Sequence, residues 1–227
     1  MASFRDLPGF VTILQDIAQE KGLATTTTAE LTSMLNLAVH QIRLDHEWSE
    51  LIVSTTLSFT ASATAPYATV SAPADYWLPI RLNNSDDEYK FWYMEPDALR
   101  DLRRADRYTY DDVEQAFAKD GTNILIYHNK TETLTLYYYS KYLVLDNDAA
   151  TEKDTFATNG TDADTFLLNN DELLIQRTLM YLYQKEPDSK QDYEDAKTAY
   201  YLALEGEKKL NPSQALKPRL EHLDYIG

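Results

Sequence analysis

The sequence predicts an α+β fold: a four-helix bundle formed by N- and C-terminal helix pairs, a small antiparallel β-sheet domain inserted between them, and an extended C-terminal arm. Three observations carry this expectation. Apolar residues recur at spacings of three and four near both ends of the chain. The middle is instead rich in Val, Thr, Ser and aromatic residues, as strands are. The last stretch holds Pro212 and Pro218, which prevent a long helix, yet is too apolar for a simple solvated tail. The boundaries read from these patterns are 1–50 for the N-terminal helix pair and 51–145 for the inserted, mainly antiparallel β domain with a short helix. An acidic linker or loop follows over 146–165, then the C-terminal helix pair over 166–210 and the arm over 211–227.

The elements follow in order. Phe10, Ile13, Leu14 and Ile17 form one stripe of a helix over 8–22, which Gly22 can close. Thr27 caps a second helix, and Glu30 at the third position completes a capping box. Leu31, Leu35, Ala38, Ile42 and His46 continue that stripe to about Trp48. Strand-like sequence runs from Leu51 through "PADYWLPIRLNN" to "EYKFWYME", with a turn expected over Asn83–Asp87. "EPDALRDLRRAD" has a proline suited to a first helical position and reads as the short helix. Two further strands, about 123–127 and 132–140, are joined by "HNKTE". After the acidic stretch, Phe166, Leu168, Leu173, Ile175, Leu179, Met180 and Tyr183 predict a third long helix, stopped by Pro187. Ser189 is placed to cap the last, in which Tyr193, Ala196, Tyr200 and Ala203 share a single face.

Composition narrows the function. The formal charge is −16, from 37 acidic and 21 basic residues, the wrong sign for wrapping DNA by neutralising phosphates. Such acidity keeps a protein soluble at high concentration, and it also suits a wall past which nucleic acid must slide without sticking. No apolar run approaches the roughly 18–20 residues a membrane helix needs. Asp6 and Pro8 in the first residues argue against a secretory signal. There is no cysteine, which excludes disulfides, thiolate catalysis and cysteine metal sites.

No catalytic, cofactor or metal site emerges. His40 and His46 fall on nearly opposite faces of their helix, which disfavours a shared metal, and His128 lies in a hairpin turn. Asp146 and Asp148 open like a calcium loop, but Thr151 stands where the loop needs glycine and Ala157 where it needs glutamate. Glycine-rich phosphate loops, HExxH and the G-x-S-x-G elbow are all absent, and the chain has only 6 glycines. Carboxylates are abundant without any pair standing out, which leaves a cell-wall hydrolase as the weaker, enzymatic alternative.

Two features suit contacts with other proteins. Tyrosine dominates the aromatics, with 17 Tyr against 7 Phe and 3 Trp, and combines apolar area with a hydroxyl that tolerates a half-wet setting. Tyr137, Tyr138, Tyr139 and Tyr142 in "YYYSKY" are the candidates for a subunit interface. Arg100, Arg103, Arg104 and Arg107 gather on one side of the short helix in an otherwise acidic chain, where they can pair with nearby aspartates or meet an acidic neighbour. In the terminal arm, Leu216, Leu220, Leu223, Tyr225 and Ile226 can gain order against a partner.

Three ordered segments resemble the head–tail adaptor (connector, or head-completion) proteins of tailed bacteriophages. "SAPADYWLPIRL" is similar to that family's proline–aspartate–tyrosine segment entering a strand. "LTLYYYSKYLVLDND" resembles its tyrosine-rich strand. "DELLIQRTL" and "YEDAKTAY" resemble its closing helix pair. The resemblance covers about residues 5–210. It implies a structural virion protein that forms a homo-oligomeric ring, commonly of twelve copies, below the portal. Such a ring extends the DNA channel and offers a docking surface to a tail or neck protein. Genomic DNA passes through without sequence-specific binding, and neither a membrane nor a cofactor is involved. By the same resemblance the arm engages the portal protein. A ring-forming tail-completion protein is the other structural reading.

Overall fold

A computed structural model gives the fold of residues 6–23, 26–65, 67–84, 90–99, 116–127, 130–146, 151–158, 162–186 and 188–210. These residues fall into two compact units. One draws on the chain up to Leu51 and from Lys141 onward; the other is Ile52–Ser140. The architecture is α+β, with helices from both ends of the chain and a many-stranded sheet that nearly closes into a barrel.

The first unit contains helices α1 (Leu7–Glu20), α2 (Thr28–Asp45), α3 (Asp171–Gln184) and α4 (Lys190–Leu210). Asp6 caps α1 by accepting the Gly9 N–H at 2.9 Å, and past its end Gly22 adopts φ +67°, a conformation open to glycine. At α2 both halves of the capping box form: Thr27 Oγ1 accepts the Glu30 N–H, and Glu30 Oε2 accepts the Thr27 N–H. Helix α2 stops at Asp45, because His46 is already extended. Helix α3 packs against both α2 and α4, and α1 touches α2 and α3. Leu173 and Leu174 are fully buried on α3. Leu173→Ala is therefore expected to cost about 2–5 kcal/mol in urea unfolding.

The apolar residues Phe166 and Leu168 do not begin the third helix. They precede it, and Phe166 belongs to a small sheet of β8 (Val144–Asp146), β9 (Thr151–Lys153) and β10 (Thr165–Phe166), ordered β10-β8-β9. Asp171 and Glu172 then occupy the first turn of α3, where negative charge suits the helix dipole. The stretch expected as an acidic linker is thus partly built structure. Phe156 is buried, and both of its backbone groups are held by one side chain: Asn36 Oδ1 accepts its N–H at 2.8 Å and Asn36 Nδ2 donates to its carbonyl at 3.2 Å. Phe10 of α1 meets both Phe156 and Phe166, with ring centroids 6.2 and 6.4 Å away. Asp164, only 2% exposed at its side chain, receives Lys153 Nζ at 2.8 Å and the Ala157 N–H at 2.6 Å.

The second unit is a seven-stranded sheet of β1 (Ile52–Phe59), β2 (Ala68–Ser71), β3 (Tyr76–Asn84), β4 (Lys90–Tyr93), β5 (Ala116–Asp120), β6 (Asn123–Ile126) and β7 (Glu132–Ser140), ordered β1-β7-β3-β4-β5-β6-β2. A bridge between Thr60 and Thr69 brings the two edge strands together. Neighbours are antiparallel except β4 and β5, which run parallel, so the sheet is mainly antiparallel. Phe59, Leu82, Phe91, Phe117, Ile126 and Leu136 fill one face. On the other face Met94, Ala116, Ala118 and Leu125 cluster with Leu99 of a helical turn over 96–99. Asn83 and Asn84, expected in a turn, continue β3, and Asn83 is buried. Gly121 takes φ +59° in the two-residue turn between β5 and β6, where Asp120 pairs Asn123.

Candidate functional site

The tyrosine-rich strand β7 is central in its sheet, between β1 and β3, and its register decides what each tyrosine can do. Strand alternation sends Leu134, Leu136 and Tyr138 into the core cluster. Tyr138 is buried there, stacked on Tyr76 at 5.5 Å between centroids, and its hydroxyl donates to Asp75 Oδ1 at 2.8 Å. Tyr139 is fully buried. Neither can present its ring to another subunit, which corrects the interface expectation for both. A strand paired on both sides hides its side chains more thoroughly than an edge strand does. Tyr137 and Tyr142 remain half-buried.

Tyr137 faces away from the core cluster and pairs in register with Arg81 of β3. The Arg81 guanidinium lies 3.9 Å from the centroid of the Tyr137 ring, a close cation–π contact. Trp92, next to core-facing Phe91 on β4, also points outward and is 42% exposed. Sequence reading missed Arg81 and Trp92. Alternation within "PIRLNN" and "KFWY" was the available signal, since Leu82 and Phe91 had to face inward. Tyr142 has Lys141 Nζ over its ring at 5.4 Å. Arg100, Arg103, Arg104 and Arg107 lie outside the described residues, as do Leu216, Leu220, Leu223, Tyr225 and Ile226.

In the helical unit Leu37 and Leu44 of α2 and Tyr201 and Leu202 of α4 are exposed. Leu37, Ser33 and Ala29 border an open groove of about 570 Å³ completed by Tyr181, Gln184 and Lys185 of α3. Behind α4, the Tyr200 hydroxyl donates to Asp45 Oδ2 at 2.6 Å, and the Arg177 guanidinium sits 5.2 Å from the Tyr200 ring. Burial, helped by the Asp45 carboxylate, pushes the Tyr200 phenol far above the usual tyrosine range, so it stays a protonated donor.

Among the described residues no group of three or more His, Asp or Glu side chains can hold a metal ion. None of the described helices is long and apolar enough to cross a membrane.

Residues 10–217 match the model of a family described as SU10 adaptor protein, a head-to-tail adaptor family of tailed phages. The chain belongs to this family. The match spans both units, so the adaptor family's sequence pattern takes in the terminal helices and the inserted sheet together. No curated protein matches the chain.

Proposed function

We propose that the chain is a structural subunit of the virion neck, whose copies form a ring below the portal. The ring extends the DNA channel and provides the surface on which the tail docks. The family match over residues 10–217 is the observation that carries this reading. In it, the helices of 1–50 and 166–210 make a four-helix bundle, the 51–145 sheet is the inserted domain, and the arm of 211–227 engages the portal. The net charge of −16, repeated around a ring, would let DNA pass without adhering. A ring of identical copies needs two different surfaces on each copy, one for each neighbour. Half-buried Tyr137 and Tyr142 are suited to one of them.

Cryo-electron microscopy of virions tests the reading directly. A ring of this chain between portal and tail is the expected density; virions in which the chain contacts only the tail tube would replace the reading with a tail-completion role. The arm has its own test. Deletion of 211–227 is expected to leave thermal unfolding unchanged while portal binding falls about tenfold or more. Undiminished portal binding would remove the arm from the interface.

A further inference from the structure

Arg81 is an unusual cation in so acidic a chain. It stacks on Tyr137 and has no ion pair among the described residues. Stacking holds the planar guanidinium in place and leaves its N–H edge for a carboxylate. Tyr137 lies on one side of it in the sheet. On the other side, β4 pairs with β3 at Leu82–Phe91, so outward-facing Trp92 is the neighbouring position. Tyr, Arg and Trp are the residue types that dominate binding hot spots.

A matching surface exists on α4. This helix buries only Ala196, Tyr200 and Leu204. Its outward side carries Tyr201, 48% exposed, and Leu202, 67% exposed. Glu205 follows at the i+3 and i+4 positions, on the same helical side, and has no ion pair among the described residues. The carboxylates beside other exposed apolar residues are engaged in several cases. Beside Leu37, Glu30 is engaged with Lys185 and with the Thr27 cap. Beside Leu44, Asp45 accepts from Tyr200 and Gln41. Near Leu210, Glu207 accepts from Asn170.

One face therefore offers two aromatics around a cation without an ion pair among the described residues, and the other offers an aromatic and a leucine beside an anion likewise without one. We propose that the Tyr137–Arg81–Trp92 face of the sheet in one copy takes the Tyr201–Leu202–Glu205 face of α4 in the next, with Arg81 pairing Glu205. The contact is heterologous, so it propagates around a ring rather than closing a dimer. It rests on the ring reading above and assigns that reading's two surfaces.

Charge reversal in trans tests it on the full chain. Self-association of the wild type, Arg81→Glu and Glu205→Arg is followed by mass photometry, each chain alone and with the portal protein of the same virus. Each single variant is expected to lose about tenfold or more in self-association. An equal mixture of the two is expected to recover most of it, because every contact in an alternating ring then joins opposite charges. Recovery by mixing cannot come from a folding defect, and matched thermal unfolding of the three chains checks that separately. Variants that assemble like the wild type, or a mixture that recovers nothing, would overturn the contact and leave the ring reading standing. A wild type that never associates, even with the portal, overturns both. Assembly that survives reversal while DNA retention falls would assign Arg81 to nucleic acid instead.

Discussion

Asp164→Ala is expected to destabilise the helical unit by about 2–3 kcal/mol in urea unfolding, a range set by the loss of charge-assisted hydrogen bonds to a buried carboxylate. The carboxylate has almost no exposure, and each of its oxygens is engaged: Oδ1 by Lys153 Nζ and Oδ2 by the Ala157 N–H. Its backbone carbonyl also accepts the Leu7 N–H at 2.8 Å, at the start of α1. Truncation leaves the Ala157 N–H without its acceptor and Lys153, among the described residues, with Asp146, 3.2 Å away. Paired with Lys153→Met, the change should cost less than on its own, because the unpaired Lys153 charge is gone while the stranded Ala157 N–H remains. If the single and double variants proved equally unstable, the Ala157 hydrogen bond and packing around residue 164 would be responsible rather than the ion pair.

The pair also sets an alkaline limit. Burial alone would lower the Lys153 pKa, but hydrogen bonds to Asp164 and Asp146 outweigh it and raise the pKa above the ordinary lysine value of 10.5. A folded state that binds its proton more tightly is stabilised below that value and loses the contribution as pH rises through the folded pKa. Buried Tyr76 and Tyr200, both with raised pKa values, act in the same direction. The part belonging to Lys153 is the portion of the alkaline slope that Lys153→Met removes.

Local signals were legible in the sequence; pairings between distant segments were not. The Thr27–Glu30 capping box and the Gly22 terminus needed only a few adjacent residues and formed as read. Phe166 and Leu168 were assigned to a helix because a short apolar run does not distinguish a buried strand from a helix. Strand β5, "AFAKD", escaped notice because its alanines have little strand preference, and its place depends on Phe117 entering the sheet core. The Lys153–Asp164 pair depends on β9, a strand too short to show a period. Among the candidate contact residues, tyrosine content pointed to β7. The choice between Tyr137 and Tyr138 required the register, which places one beside Arg81 and the other in the core.

Trp48→Ala is expected to cost about 3–5 kcal/mol, another large single-residue effect in the helical unit. Trp48 is 1% exposed, and its indole meets His46 edge-on at 4.9 Å. It also solves a specific problem at the end of α2. The last carbonyls of any helix have no partner within it, and Ile42 is one of these. The Trp48 indole N–H donates to the Ile42 carbonyl at 3.0 Å, in a buried position where water is not a substitute. Trp48→Phe separates the two contributions. It keeps most of the ring's packing and removes the donor, so a cost of about 1–3 kcal/mol is expected from the stranded carbonyl. A phenylalanine variant as stable as the wild type would assign the whole effect to packing. One as unstable as the alanine variant would make the hydrogen bond the principal anchor of the α2 terminus.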